Sequence, residues 1–376
     1  MRHFISTTLF LVSILLCHTS FAQEISLRDK IGQMLIIGFK GDTINQDTPI
    51  AQIITANNLG GVILYDRKLV GKNIINPDQV QSLNQQLQSI NHEGHQQHQR
   101  PDLPLLIGVD YEGGKVNRLR EAYGFPATLS AAAIGQLSLD AANIEAANMA
   151  NTLKTAGFNL DFAPAIDLNI NPNNPIIGKM ERSFSDNPGD VAKYAELFSQ
   201  NFLAQHIQCA YKHFPGHGSS NADSHLGFVD VSAEWQADEL EPYQQLLSGP
   251  NPCGMVMTAH IINRKLDATG LPATLSHKML TELLREKMHF SGVVITDDMQ
   301  MLAIRDNFGL KQAITLAINA GADMLMFANQ LTPNEPDQDP KDLIDLIEKE
   351  VHLGHISEAA IEMAYQRIVT LKQTLQ

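Results

Sequence analysis

The chain has 376 residues, 44% hydrophobic and 18% charged, a balance that belongs to a folded globular protein and excludes a disordered one. The formal net charge is −14 with no basic runs, so the electrostatic footprint of a nucleic-acid binder is missing. Three scattered cysteines are too few for a disulfide framework or a zinc ribbon.

The first 22 residues form a unit of their own. Arg2 and His3 precede an apolar run, Phe4–Cys17, and Ser20-Phe21-Ala22 then places small residues at −3 and −1 of a cleavage site before Gln23. This is the three-part pattern of a secretory signal peptide over 1–22. The apolar run is short for a membrane span, which disfavours an uncleaved anchor. Leu15-Leu16 puts bulk where a lipoprotein signal through Cys17 needs a small residue. Cleavage leaves 26 basic against 41 acidic side chains, a net charge of −15, in a single domain over 23–376 with no stable membrane insertion.

From there, short apolar runs alternate with helical stretches. The runs are Met34–Phe39, Gly61–Tyr65, Leu105–Asp110, Leu160–Asp167, Cys209–His213, Met255–His260, Gly292–Asp297 and Ala322–Asn329. Each is mostly apolar rather than alternating and ends in a polar or aromatic residue, which suits parallel strands buried on both faces. Between them, Pro77–Ile90, Leu139–Ala156, Val191–Gln205, Lys278–Lys287, Leu310–Ala320, Asp342–Lys349 and Glu358–Lys372 read as helices. Ser138 and Ser276 stand at N-caps, and Gly157 and Gly321 just past C-termini. Asn91–Arg100, with His92, His95 and His98, reads as a solvated loop rather than a chelating site, and Thr332–Lys341 as a surface loop. Cys209 and Cys253 sit inside apolar runs and are expected as buried free thiols rather than a bridge. Strand–helix alternation repeated eight times predicts an α/β fold, a TIM-like (β/α)8 barrel in one domain. An open doubly wound sheet is disfavoured because no G-x-G-x-x-G follows the first strand.

Polar residues collect at the ends of these strands: Asp110, Asp167, Lys212-His213, His260, Asp297-Asp298 and Asn329. In a barrel this end is the catalytic face. Asp167 and Asn329 read as structural caps; the others form a functional rim. Tyr211–Gly218 (Y-K-H-F-P-G-H-G) followed by Asp223-Ser224-His225 gathers His, Lys and Asp in one loop. A metal site using His213, His217, Asp223 and His225 is disfavoured by the ammonium of Lys212 in its midst and by the lack of an H-E-x-x-H helix. Asp223 and His225, two apart on a turn, can instead pair as carboxylate and imidazole, tuned for proton transfer near neutral pH. Adjacent Asp297 and Asp298 can be a metal-ligand pair, or one nucleophile beside one loop anchor. Around Gly113-Gly114 the chain suits close approach of a ligand to the backbone, and it lacks the spacing of a phosphate loop.

Taken together, Asp110–Arg118 (D-Y-E-G-G-K-V-N-R), Glu181-Arg182-Ser183-Phe184, Lys212–Gly218 with Asp223-Ser224-His225, Met257–His260 and Ile295–Met299 resemble glycoside hydrolase family 3, in its single-domain β-N-acetylhexosaminidase branch. The segments run in family order across nearly the whole mature chain, and K-H-F-P-G-H-G with D-S-H is the most specific. Lys115 stands where the family usually has Arg, and Asn117 where Gln is common. The resemblance implies a retaining exo-hydrolase of terminal β-linked N-acetylglucosamine, or N-acetylgalactosamine, from peptidoglycan fragments or chitooligosaccharides. It implies no metal and no cofactor. By position, Asp297 matches the nucleophile, His225 the acid/base and Asp223 its dyad partner. Asp110, Arg118, Arg182, Lys212 and His213 match residues that hold the sugar. Three rivals are a family 3 β-glucosidase or β-xylosidase, a catalytically silent sugar-binding protein of the envelope, and a zinc hydrolase. The first usually takes a Glu acid/base from a second α/β domain, for which this chain has no room. Intact Asp297 and His225 argue against the second.

Overall fold

The computed structural model describes residues 25–66, 72–223, 227, 229–329 and 337–376. The segment 1–22, expected as a signal peptide, and His225 lie outside the described residues. Eight strands close a barrel in chain order: β1 (Leu35–Gly38), β2 (Gly61–Ile63), β3 (Leu106–Val109), β4 (Leu160–Asp161), β5 (Gln208–Phe214), β6 (Met255–Thr258), β7 (Val293–Asp298) and β8 (Met324–Phe327). Every neighbouring pair is parallel. The seam between first and last strand closes through Leu35–Leu325, Ile36–Met326 and Ile37–Phe327. The strand residues are buried almost without exception. The reason is geometric: one face of each strand fills the barrel and the other packs under a helix, so alternation with polar residues has nothing to serve.

The helices obey the capping logic of the sequence. Ser138 accepts from Ala141 N–H at 3.3 Å at the start of Leu139–Ala156, and Gly157 closes that helix at φ +82°. Ser276 accepts from Met279 N–H at 3.2 Å ahead of Lys278–Lys287, which winds as a π-helix. The fourth strand is shorter than its apolar run. Pro164 has no N–H for a ladder, so regular pairing ends at Asp161 and the chain continues towards Asp167 beside Lys212.

Two expectations are corrected. Cys209 and Cys253 form a disulfide, not two free thiols. Strand register is the cause: Ala210 pairs with Met255, which leaves the two cysteine Cα atoms 4.9 Å apart. The histidine-rich stretch 91–98 is not a loop but the last two turns of the helix Pro77–His98. Its buried stripe Val80, Leu83, Leu87 and Ile90 continues into Gly94 and His95, so the helix has an apolar reason to run on.

His95 belongs to a buried polar network at the N-terminal end of the barrel. Its Nε2 lies 3.1 Å from Asn58 Oδ1, Gln33 Nε2 donates to Asn58 O at 2.9 Å, and Lys372 Nζ donates to Gln33 Oε1 at 2.7 Å. Lys372 is fully buried, and no carboxylate among the described residues forms an ion pair with it. Burial pushes its pKa from the usual 10.5 down to about 7. Because the folded pKa lies below the unfolded one, folding carries a proton-linked cost that is complete below pH 7. That cost fades as pH rises from about 7 to 10.5. Lys372→Met should therefore raise the melting temperature at pH 6 and lose that advantage by pH 10.5, as followed by calorimetry across the range. A gain independent of pH would contradict the assignment.

Candidate active site

The loops after the barrel strands build a cavity of about 320 Å³ at the C-terminal end of the barrel. Its walls include Asp110, Arg118, Arg182, Lys212, His213, His217, Asp223, Asp297 and Asp298, with Tyr65, Ile176 and Met301 as apolar surface. The catalytic and sugar-binding residues expected from the family resemblance, apart from the undescribed His225, thus meet in one hollow; His260, expected in the functional rim, does not line it and is fully buried. A larger hollow of about 660 Å³ opens at the opposite end, beside Gln208, Gly254 and Gly292, but no carboxylate lines it.

The floor is a compact charge cluster. Lys212, at the end of β5 and only 2% exposed, lies 3.2 Å from Asp110 Oδ1 and 2.6 Å from Glu112 Oε1. Asp110 Oδ2 also accepts from Arg118 Nη2 at 3.1 Å. Glu112 accepts two parallel bonds from Arg182, Nε to Oε2 and Nη2 to Oε1, each 2.7 Å. Burial alone would raise the Asp110 pKa, but Lys212 and Arg118 hold it far below the usual carboxylate range. Against the same burial, Arg182 and Lys212 hold Glu112 low. For Lys212, burial would lower the pKa, yet Glu112 and Asp110 keep it above the usual lysine value. All these groups are therefore charged at neutral pH.

Arg182 Nη2 also points at His213 Nε2, 3.1 Å away. An arginine can only donate, so Nε2 accepts and the imidazole proton sits on Nδ1. That nitrogen is 2.6 Å from Asp167 Oδ2. Asp167 also accepts from His217 N–H at 2.8 Å, and its pKa falls to about 2, with burial opposing and His213 prevailing. Asp167 is thus more than the strand cap expected from sequence: it orients His213 and the turn that follows. Asn329 is a cap as expected, with Nδ2 donating to Gly38 O at 3.1 Å.

The acidic pair at the end of β7 divides its tasks. Asp298 Oδ1 accepts from Gln300 N–H at 3.0 Å and Ala328 N–H at 3.2 Å, which ties the β7 loop to β8. The carbonyl of Asp298 accepts from His260 Nε2 at 3.0 Å, and Thr274 holds the other ring nitrogen at 2.7 Å. Asp297 is the less buried of the two and lines the cavity, its Oδ1 accepting from Asp298 N–H at 2.8 Å. Asp223 reaches the same cavity from the loop after β5. Among the described residues, no group of three or more His, Cys, Asp or Glu is arranged to hold a metal ion.

Sequence reasoning missed Glu112 as a functional residue, although it stood inside the quoted D-Y-E-G-G run. The signal was its two-residue offset from Asp110: across the short hairpin Tyr111–Gly113 and Val116–Asn117, both carboxylates turn to Lys212.

Residues 26–371 match the glycosyl hydrolase family 3 N terminal domain. Beta-hexosaminidase A of Pseudoalteromonas piscicida is 34% identical over 74% of this chain; the match spans about half of that protein's length, 47%. Beta-hexosaminidase LpqI of Mycobacterium tuberculosis is 29% identical over 93% of this chain and 83% of its own. The family 3 beta-N-acetylglucosaminidase of Paenibacillus sp. superposes with a TM-score of 0.83 at 31% identity, over 94% of this chain and 63% of that one. With the barrel, the strand-end cluster and these matches in agreement, the chain belongs to glycosyl hydrolase family 3.

Proposed function

We propose that this protein is a retaining exo-β-N-acetylhexosaminidase that releases terminal β-linked N-acetylglucosamine, or N-acetylgalactosamine, from peptidoglycan fragments or chitooligosaccharides. The observation that carries the proposal is the convergence of Asp297 and Asp223 on the cavity floored by Asp110, Arg118, Arg182, Lys212 and His213. At about 320 Å³ the cavity suits one sugar ring, as an exo-acting enzyme requires. The names of the related proteins, beta-hexosaminidase and beta-N-acetylglucosaminidase, support the choice of sugar.

The chemistry follows. Lys212, Arg118 and Arg182 donate charge-assisted hydrogen bonds to sugar hydroxyls, and Asp110 accepts from them. Asp297 attacks the anomeric carbon as the bond to the leaving oxygen breaks, and His225 gives that oxygen its proton. A water then attacks the glycosyl–Asp297 ester, His225 takes the water's proton, and Asp297 leaves as a carboxylate. Asp223 holds the imidazole in the orientation and basicity for both transfers. No second carboxylic acid is required.

Export is part of the proposal. The charged, apolar and small-residue sequence of 1–22 supports it, and so does the Cys209–Cys253 disulfide, because such bridges persist in oxidising compartments. No described helix is long and apolar enough to cross a membrane. Mass spectrometry of the periplasmic or secreted protein should find Gln23, or its cyclised form, at the N-terminus. A chain retained at Met1 in the cytosol would contradict export.

The acid/base assignment is tested through the leaving group. His225→Ala should keep much of its glycosylation rate on a nitrophenyl β-N-acetylglucosaminide, which needs little protonation. On a sugar leaving group it should lose roughly the 10²–10⁴-fold that general acid catalysis supplies. Azide should partly restore its deglycosylation. Equal losses on both substrates without azide rescue would sink the assignment.

A further inference from the structure

We propose that Glu239 is a positioning residue for acid/base catalysis, holding the root of the segment that carries Asp223 and His225. The inference rests on the acid/base roles proposed above. Glu239 lies in the short 3₁₀ turn Ala237–Leu240, outside the substrate cavity, and is 1% exposed. Its two carboxylate oxygens receive donors from consecutive residues of the loop after β5. Gly218 N–H donates to Oε2 at 2.8 Å and Ser219 Oγ–H to Oε1 at 2.6 Å.

The other side of the same loop root is held as tightly. Asn174 Nδ2 donates to His217 O at 2.8 Å, and Asn171 Nδ2 donates to Ser220 O at 2.9 Å. Glycine is required twice at this clamp. A Cβ on Gly218 would lie 1.8 Å from Leu168 O, and one on Gly216, at φ +110°, would lie 2.6 Å from the Glu239 Cβ. Trp235 Nε1 closes the turn with a bond to Pro215 O at 3.2 Å. Asp223 follows Ser219 by four residues, so the clamp fixes where the dyad segment begins.

A carboxylate is an expensive choice for this place. No cation among the described residues forms an ion pair with Glu239. The charged and titratable groups that act on it are Asp167, which adds repulsion, and Tyr243, with Ser219 and the Gly218 and Gln236 amides as hydrogen-bond donors. Burial, the largest influence, pushes its pKa up to about 7. Packing alone would be better served by a neutral side chain. What only the carboxylate supplies is two acceptors for two adjacent loop donors.

The test compares Glu239→Leu, Glu239→Gln, Ser219→Ala, His225→Ala and the Glu239→Leu/His225→Ala double variant of the mature protein. Each is assayed on the nitrophenyl glycoside and on the N-acetylglucosamine disaccharide, with inhibition by free N-acetylglucosamine as a measure of sugar binding. Glu239→Leu should leave that inhibition unchanged, yet lose roughly tenfold or more extra kcat/KM on the disaccharide, as expected when buried donors lose their acceptors. Glu239→Gln, which keeps one acceptor oxygen, should restore part of the loss, and the double variant should be no slower than His225→Ala on the disaccharide. If Glu239→Leu is unfolded at the assay temperature, Ser219→Ala and Glu239→Gln carry the comparison, with a smaller selective loss expected. Equal losses on both substrates, or multiplicative losses in the double variant, would overturn the inference. A leaving-group-selective His225→Ala beside unselective Glu239 and Ser219 variants overturns this inference alone. An unselective His225→Ala overturns the acid/base roles and this inference with them.

Discussion

A lysine ammonium buried at the centre of a barrel mouth is the constraint on which the rest of this site depends. Lys212 is withdrawn from water, and the cost of that withdrawal is offset only by carboxylates held within hydrogen-bond reach. Asp110 and Glu112 provide them, two residues apart on the excursion after β3. Glu112 then needs Arg182, Arg182 needs His213 in one tautomer, and that tautomer needs Asp167. A chain of donors and acceptors therefore crosses three strand ends, those of β3, β4 and β5, and its members cannot move independently. Removing any one of them leaves a buried charge or donor unpaired, which is why the cluster is a rigid template rather than a set of separate contacts.

Under the proposed function, pre-organisation of this kind serves sugar recognition. Hydroxyl groups are weak partners individually, and a site that must order its own donors on binding would spend its selectivity on doing so. Here the donors are already fixed by carboxylates. The proposed reacting groups stand apart from the cluster. Asp297 sits at the end of β7, where Asp298 and His260 take the structural duties and leave Asp297 at the cavity. Asp223 comes from a different loop, so the proposed nucleophile and the proposed proton-transfer dyad are carried by separate elements.

The barrel was legible because its signal is collective: eight apolar runs of strand length, each followed by a helix pattern, admit few other folds. The strand-end positions of Asp110, Lys212, His213 and Asp297 followed from the same pattern. What remained hidden depends on register and on tertiary pairing. The Cys209–Cys253 bridge requires knowing that Ala210 lies opposite Met255, which no local pattern contains. The extension of the Pro77–His98 helix depends on a buried stripe whose last members, Gly94 and His95, are not apolar side chains. Glu112 and Asp167 look like ordinary polar residues beside strands; their roles appear only once Lys212 and His213 are placed against them.

The central claim is that Asp297, and not its neighbour Asp298, forms the covalent bond to the sugar. A fluorinated β-N-acetylglucosaminide with a good leaving group, whose glycosyl-enzyme hydrolyses slowly, traps that bond. Peptide mapping of the trapped protein by mass spectrometry then locates it. The account predicts a single adduct on Asp297, lost when the label is given time to turn over. An adduct on Asp298, or turnover of the label with no covalent species at any time, would contradict it.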